Sequence, residues 1–400
     1  MADIILTEEN RKSLDKGFSE SFGNMPESYY SAPGRTEIGG NHTDHQRGRV
    51  LAAAVNLDMR AAVRKNGSNI VRLVSDKLPG CQVDLGELLP IDSEKNTAAA
   101  LVRGMAAAAE VRGAVLCGLD IYCESDVIPG SGLSSSAAFE VLLGTIFNSL
   151  FLDSALSAGE IAEMGQWTEN TFFGKPCGLM DQMACSVGGL VGIDFCDANA
   201  AKVKPITFDF ESCGHALCIV DTRASHTELN HEYAAITEEM KMVSAFFNKE
   251  VLSEVEEAEF FDKLPELRKS CGDRAILRAM HFYAENRRVP LQIEALEKGE
   301  FEEFLRLVGE SGKSSWTLLQ NINPAGATAH QPMALALAMC EKLLQGRGAS
   351  RVHGGGFAGT VQAFVPLDML EDFRAGMDAV FGTGACQVMS IRNVGGLEYV

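Results

Sequence analysis

The sequence of 400 residues lacks several features that would assign it to a class of protein at once. It contains no run of about 18 apolar residues, so no transmembrane helix is predicted. Its first residues have neither a basic start nor a long apolar stretch, so we expect no secretory signal. Its 11 cysteines form no C-x-x-C pair, which favours small buried thiols in the reducing cytoplasm.

An excess of positive charge is also missing. The chain has 35 Lys and Arg residues against 54 Asp and Glu residues, a formal net charge of −19. This balance argues against nonspecific binding to nucleic acid or to anionic membranes, because both need a basic surface. It does not exclude an anionic ligand held by backbone N–H groups. No internal repeat or low-complexity linker occurs, and the length allows two domains or one large one.

A stretch rich in glycine and serine lies between a predicted strand and a predicted helix. Alternation at Leu119, Ile121 and Cys123 predicts a half-buried strand, and the apolar pattern after Ala137 predicts a helix. The residues between them are Gly130, Ser131, Gly132, Leu133, Ser134, Ser135 and Ser136. Glycines allow a ligand to approach the backbone, and a helix N-terminus attracts anions such as a nucleotide phosphate. A turn that only caps the helix is the alternative.

This stretch matches neither of two well-known phosphate-binding patterns. A Walker A loop is absent, because the Gly-Lys-Ser at 312–314 has Leu307 where the first glycine should stand. A Rossmann fingerprint would need a third glycine where Ser135 stands. A phosphate loop of another kind is therefore the hypothesis.

Two further polar stretches are candidates for a binding site. Residues 31–45 contain Arg35, Asn41, His42, Asp44 and His45 among glycines, which is typical of solvated surface or of a polar site. A metal site here is a weak hypothesis, because this His/Asp spacing is not a common zinc signature. Residues 168–182 contain Glu169 and Asp181, whose simpler interpretations are a solvated helix face and a helix cap.

The periodicity predicts the other elements. We expect helices over 8–22, 97–112, 160–173 and 367–381, and strands over 190–195, 216–221 and 386–392. Strands over 50–63 and 70–74 flank Asn66-Gly67, which predicts a hairpin. From about 226 to 344 the pattern is helical, and Pro290 and Pro324 are expected to interrupt it. The final strand–helix–strand order fits a split βαβ layer, and two domains are expected to divide near 200–215.

Together, and in this order, these stretches resemble the GHMP family of sugar 1-kinases, nearest to the galactokinases. The resemblance rests on Ala32-Pro33-Gly34-Arg35 with His42-Thr43-Asp44, on the 130–137 loop, and on Gly354-Gly355-Gly356 near the C-terminus. Supporting matches are Glu169-Asn170, the stretch 177–182, Tyr233 and Arg278-Ala279-x-His281. They extend over most of the chain.

The resemblance implies an α+β fold with two domains and an active site in the cleft between them. Residues 1–205 would form an N-terminal domain like ribosomal S5 domain 2, and residues 206–400 a ferredoxin-like C-terminal domain. The implied activity is ATP-dependent phosphorylation of the anomeric hydroxyl of a sugar, most simply galactose. We expect a cytoplasmic enzyme, monomeric or a weak homo-oligomer, that binds sugar and ATP but neither nucleic acid nor membranes.

The resemblance also implies roles for single residues. The loop from Gly130 to Ser136 would wrap the ATP phosphates, and Ser136 and Glu169 would hold Mg²⁺, which prefers hard oxygen ligands. Asp181 and Arg35 would be catalytic, with Asp181 beside the reacting hydroxyl as a base or only as an electrostatic partner. The sugar would contact Asn41, His42, Asp44, Gly178 and Tyr233.

The chain departs from the family pattern on the sugar side. Asn41 stands where galactokinases have Glu, Glu37 where they have Asn, His45 where they have Tyr, and 234–238 replaces a basic run. The alternatives to galactose are therefore a galactose derivative or L-arabinose. A catalytically silent sugar sensor is a further alternative, although the serine loop is complete. The His42-Thr43-Asp44 motif argues against a mevalonate or homoserine kinase.

Overall fold

The computed structural model describes residues 6–77, 79–127, 132–175, 177–197, 201–224 and 229–399. The elements of the first half are α1 (Glu8–Phe22), β1 (Ser28–Gly39), β2 (Arg49–Lys65), β3 (Ile70–Ser75), β4 (Cys81–Asp84), α2 (Ala98–Val111), β5 (Leu119–Ser125), α3 (Ser135–Phe151), α4 (Ala158–Thr168), α5 (Met180–Val187), β6 (Leu190–Asp194) and β7 (Lys202–Ile206). A turn of π-helix over Glu169–Phe173 follows α4.

The elements of the second half surround a second, smaller sheet. They are β8 (His215–Asp221), α6 (Asn230–Phe246), α7 (Glu257–Asp262), α8 (Leu264–Ser270), α9 (Asp273–Lys298), α10 (Phe301–Ser314), α11 (Pro332–Leu344), β9 (Ala349–His353), β10 (Thr360–Pro366), α12 (Leu370–Phe381), β11 (Cys386–Met389) and β12 (Leu397–Tyr399). A π-turn over Ser315–Leu319 extends α10.

The first sheet is built around the long strand β2, which pairs with β1, β5 and β6. The strand order is β12-β1-β2-β5-β3-β4, and β6 and β7 extend from β2. Helices α2 and α3 pack on this sheet, and Leu101, Met105, Leu142 and Phe147 lie in the same buried cluster as strand residues such as Ile121. Helix α2 is predicted correctly, because Thr97 caps it by accepting from the Ala100 N–H.

The hairpin predicted across Asn66-Gly67 is wrong. Strand β5 lies between β2 and β3, antiparallel to the first and parallel to the second, with Ile121 opposite both Val63 and Leu73. In this position β5 pairs along both of its edges, and side chains such as Ile121 are buried. The Asn66 side chain also pairs with β5, since its Nδ2 donates to Asp120 at 2.9 Å.

The second sheet has the order β11-β8-β10-β9 and is antiparallel throughout. Strands β8 and β9 thus alternate across the sheet with β11 and β10, the strands on either side of α12 in the chain. This alternation confirms the predicted split βαβ layer. The predicted last strand ends at Met389, and the chain then returns to the first sheet, where β12 pairs with β1.

Apolar side chains of both halves form one cluster between the two sheets. Ile38, Leu51 and Val127 come from the first half, and Phe304 and Phe364 come from the second. The two halves therefore share part of their hydrophobic core. The division into residues 1–205 and 206–400 stays a prediction.

One predicted interruption is wrong. Pro290 lies inside α9, which continues to Lys298, because buried neighbours such as Val289 and Gln292 hold the helix in place despite the lost backbone hydrogen bond. Pro324, in contrast, lies in the loop before α11. The cysteines are free thiols; Cys123, Cys185 and Cys218 are buried, whereas Cys196 is exposed. No helix in the described part of the chain is long and apolar enough to cross a membrane.

Candidate active site

A cleft of about 1320 Å³ lies along β1, the loop after it, the start of α5 and the start of α6. Its lining includes every residue for which the sequence predicted a catalytic or sugar-binding role: Arg35, Asn41, His42, Asp44, Gly178, Asp181 and Tyr233. These residues come from distant parts of the chain, and the fold brings them to one surface.

Arg35 and Asp181 form the central ion pair of the cleft. Arg35 Nε donates to Asp181 Oδ1 at 2.7 Å and Arg35 Nη2 to Asp181 Oδ2 at 2.8 Å, a bidentate geometry. Arg35 follows an irregularity in the pairing of β1, and Asp181 lies in the first turn of α5. Burial alone would raise the pKa of Asp181, but Arg35 lowers it to about 2. Asp181 is therefore ionised at neutral pH.

The serine loop contacts this ion pair directly. Arg35 Nη1 donates to the Gly132 carbonyl at 2.5 Å, and Nη2 donates to Ser134 Oγ at 3.0 Å. The Ser134 hydroxyl in turn donates to Asp181 Oδ2. Ser134 has φ 56° at the N-cap of α3, yet its side chain makes no capping hydrogen bond. Its hydroxyl thus serves Asp181 rather than the end of the helix.

The rest of the predicted phosphate loop leads into α3. Leu133 is buried and its carbonyl accepts from the Arg35 N–H at 3.1 Å. Ser135 is the first residue of α3, so Ser135 and Ser136 lie at the positive end of its dipole. The predicted Gly130 and Ser131 lie outside the described residues.

The two predicted metal ligands lie together at the start of α3. Ser136 Oγ donates to Glu169 Oε1 at 3.1 Å, and Lys175 Nζ donates to the same oxygen at 3.3 Å. Gln182 Nε2 bridges Glu169 and Glu140, at 2.8 and 2.9 Å. Burial, and then the nearby Glu169, raise the pKa of Glu140. No local sequence pattern marks Lys175 or Glu140, so neither was predicted as part of this group.

On the sugar side, Asp44 and Gly178 approach each other closely. A Cβ added at Gly178 would lie 1.9 Å from Asp44 Oδ2, so a side chain there would push the Asp44 carboxylate out of its position. Burial, and then the charge of Asp181, raise the pKa of Asp44 to about 6. Two carboxylates with pKa values pushed in opposite directions therefore line one cleft.

The glycine run of the C-terminal half closes the wall behind the sugar-side residues. His42 Nε2 donates to the Gly355 carbonyl at 3.0 Å. The Tyr233 hydroxyl donates to the Gly356 carbonyl at 2.9 Å, and burial raises its pKa to about 12. The 354–356 motif, noted in the sequence without a role, thus positions two of the predicted sugar contacts.

Asn41 differs from the other predicted sugar contacts because its side chain is almost fully engaged with protein. It is 1% exposed, and its amide contacts Glu37, Gly354 and Asn321 at 3.0, 2.7 and 2.9 Å. Glu37, noted in the sequence only as a departure from the family pattern, also lines the cleft.

The chain is similar to known proteins over most of its length. The family described as "GHMP kinases N terminal domain" matches residues 96–189, and the "Galactokinase galactose-binding signature" matches residues 16–65. The galactokinase of Lacticaseibacillus casei strain BL23 is 30% identical over 370 residues, 91% of this chain and 92% of that protein. The galactokinase of Actinobacillus pleuropneumoniae serotype 3 is 29% identical over 359 residues, 89% and 90% of the two chains.

Solved structures share the fold. A galactokinase of Lactococcus lactis, complexed with galactose, superposes with a TM-score of 0.82 at 24% identity, covering 97% of this chain and 98% of that one. A mevalonate kinase superposes with a TM-score of 0.66 at 15% identity, covering 92% and 100%. The α+β fold predicted from the resemblance is thereby confirmed.

Proposed function

The chain belongs to the galactokinase family, and we propose from this that it transfers the γ-phosphoryl group of ATP to the anomeric hydroxyl of galactose. The observation that carries the proposal is the bidentate Arg35–Asp181 pair, which lies where the serine loop meets the cleft. The alternatives, a related sugar or a silent sensor, are not favoured by the galactokinase relatives.

The ion pair is suited to phosphoryl transfer, which depends mainly on positioning and on charge stabilisation. In the proposed reaction the anomeric oxygen of galactose bonds to the γ-phosphorus, the bond to the bridging oxygen breaks, and ADP leaves. The hydroxyl proton passes to Asp181. Because the pKa of Asp181 is about 2, it is a weak base and accepts the proton only as the new bond forms. Arg35 stabilises the charge on the transferred group and keeps Asp181 ionised.

The sugar contacts are proposed as residue roles within the same cleft. An ionised Asp44 accepts hydrogen bonds from sugar hydroxyls, and Gly178 leaves room for that contact because no side chain intervenes. His42 and Tyr233 contact the sugar from the side of the glycine run.

The residues at the start of α3 fit Mg²⁺. Ser136 and Glu169 offer a hydroxyl and a carboxylate, the hard oxygen donors that Mg²⁺ prefers. In the described residues no group of three or more His, Cys, Asp or Glu gathers into a metal site, so phosphate oxygens and water would supply the other ligands. When bound, Mg²⁺ neutralises charge on the ATP phosphates. Lys175 balances the charge of Glu169, and the loop residues 130–136 hold the phosphates.

We also propose that the protein acts in the cytoplasm as a monomer or weak homo-oligomer, without binding nucleic acid or membranes. The net charge of −19 supports the last point, because anionic surfaces repel an acidic protein.

The proposal is tested by measuring ADP release with ATP and Mg²⁺ over a panel of galactose, L-arabinose, glucose and N-acetylgalactosamine. Turnover with galactose that is lost in Asp181→Ala is the expected result. Turnover with another sugar alone would keep the kinase chemistry and change the substrate. Binding of both sugar and ATP without any turnover would refute the proposal and favour the silent sensor.

A further inference from the structure

Glu37 and Asn41 form a buried pair in the wall of the cleft. Asn41 Nδ2 donates to Glu37 Oε1 at 3.0 Å, and Arg351 Nη2 donates to the same oxygen at 2.5 Å. Glu37 is 3% exposed and Arg351 is fully buried. Since both members of the pair line the cleft, either could in principle contact a bound sugar.

The amide of Asn41 is engaged by protein on both its donor and its acceptor atom, and both of its N–H groups are used. A side-chain amide has two N–H donors and two acceptor lone pairs. Its Nδ2 donates to Glu37 and to the Gly354 carbonyl, and its Oδ1 accepts from Ser315 Oγ at 3.3 Å and from Asn321 Nδ2 at 2.9 Å. A sugar hydroxyl would therefore have to compete with these partners to bind Asn41.

The carboxylate of Glu37, in contrast, retains an acceptor. Its Oε1 already accepts from both Asn41 and Arg351, whereas its Oε2 is 3.4 Å from Asn41 Nδ2, beyond the usual length of a good hydrogen bond. Burial raises the pKa of Glu37, and the charge of Arg351 opposes that shift. A buried acceptor oxygen without a good hydrogen-bond partner costs free energy of folding. A ligand hydroxyl that donates to it would remove this cost.

We propose that Glu37 Oε2 accepts a hydrogen bond from a hydroxyl of the bound hexose, and that Asn41 is a positioning residue that orients the Glu37 carboxylate. The inference rests on the proposed function and assigns the sugar contact to a different residue from the one predicted from sequence.

The test measures the binding of galactose and of its monodeoxy derivatives by calorimetry, in the wild-type protein and in Glu37→Gln. The wild type should bind one monodeoxygalactose about tenfold to a hundredfold more weakly than galactose, the worth of a hydrogen bond to a charged group. Glu37→Gln should weaken galactose binding by a similar factor and lose most of that discrimination, while its affinity for ATP stays unchanged.

Glu285→Gln is the matched control. Glu285 is also a buried carboxylate, paired with Arg288 and bonded to the Gly40 N–H, but it is not among the lining residues of the cleft. This variant should lose stability and keep the discrimination between sugars. Loss of discrimination in Glu285→Gln to the same extent would show a structural effect and overturn the inference.

Removing the Glu37 charge leaves Arg351 buried and unpaired, which can unfold the protein. Combining Glu37→Gln with Arg351→Met removes both charges and keeps the test possible. Unchanged discrimination in the folded variant would overturn the inference. Because the readout is binding, it is independent of turnover: absence of turnover contradicts the proposed function, and unchanged discrimination contradicts the role of Glu37.

Discussion

Asp44 makes the affinity for the sugar depend on pH near 6. Its carboxyl lines the cleft, and burial together with the charge of Asp181 raises its pKa to about 6. Because the pKa is raised, the carboxylate form dominates only above this value, and protonation at lower pH removes the acceptor that we propose for sugar hydroxyls. Lowering the pH through 6 should therefore weaken galactose binding.

The size of the effect follows from the titration. At pH 5 a group with a pKa of about 6 is ionised in only about one molecule in eleven, so KM for galactose should rise about tenfold between pH 7.5 and pH 5. The value of kcat should change little over this range, because the pKa of Asp181 is about 2 and Asp181 stays ionised. Initial rates over a galactose series at each pH separate the two parameters.

Burial lowers the pKa of each of three histidines at or near the cleft, His42 included. Burial lowers the pKa of His45 to about 3 and that of His281 to about 4, so both are neutral above pH 5. Asp44→Asn, which keeps the shape and cannot titrate, should raise KM at pH 7.5 and remove most of its pH dependence. Any dependence left in this variant is assigned to Glu37, whose pKa is also raised by burial. A KM that is flat from pH 5 to 7.5, or a dependence that persists undiminished in Asp44→Asn, would refute this explanation.

Three further predictions concern the transfer centre. Ser134→Ala removes a hydrogen bond to the Asp181 carboxylate, so the pKa of Asp181 should rise by about 1–2. The fall of kcat at low pH should then begin at a higher pH. Ser134→Gly should shift the kcat profile equally but give a more stable protein than Ser134→Ala, because glycine tolerates φ 56°. Arg35→Lys replaces a bidentate contact with a single ammonium, so kcat should fall about a hundredfold while KM for galactose is largely kept; an unchanged kcat would contradict a role in transfer. Glu169→Gln should raise the Mg²⁺ concentration for half-maximal activity at least about tenfold, and an unchanged Mg²⁺ titration would place the ion elsewhere.

Local signals in the sequence predict the elements that local interactions determine. The bounds of α1 are correct because Thr7 caps its start, accepting from the Asn10 N–H, and Gly23 ends it in the left-handed conformation. The hairpin prediction fails because strand pairing is not local. Asn66-Gly67 favours a turn, but β5, which begins about 50 residues further along the chain, inserts between the two strands.

The site was predictable only to the extent that family motifs mark it. Arg35, Asp44 and Asp181 lie in one cleft, although no periodicity connects Arg35 and Asp181, which are 146 positions apart. Their roles there stay predictions. The engagement of Asn41 could not be predicted, because its partners Asn321 and Gly354 come from loops about 300 residues away. The contact between Ser134 and Asp181 likewise depends on how α3 and α5 pack, which the loop sequence does not reveal.

The most direct test of phosphoryl transfer at the Arg35–Asp181 pair is a single-turnover experiment with excess enzyme. Wild type and Asp181→Asn are mixed with labelled ATP, Mg²⁺ and galactose, and galactose 1-phosphate is quantified by rapid quench. We predict rapid formation of the sugar phosphate in the wild type and a loss of at least about a hundredfold in Asp181→Asn, with ATP and galactose both still bound. Wild-type rates in Asp181→Asn, or label appearing at a hydroxyl other than the anomeric one, would contradict this assignment.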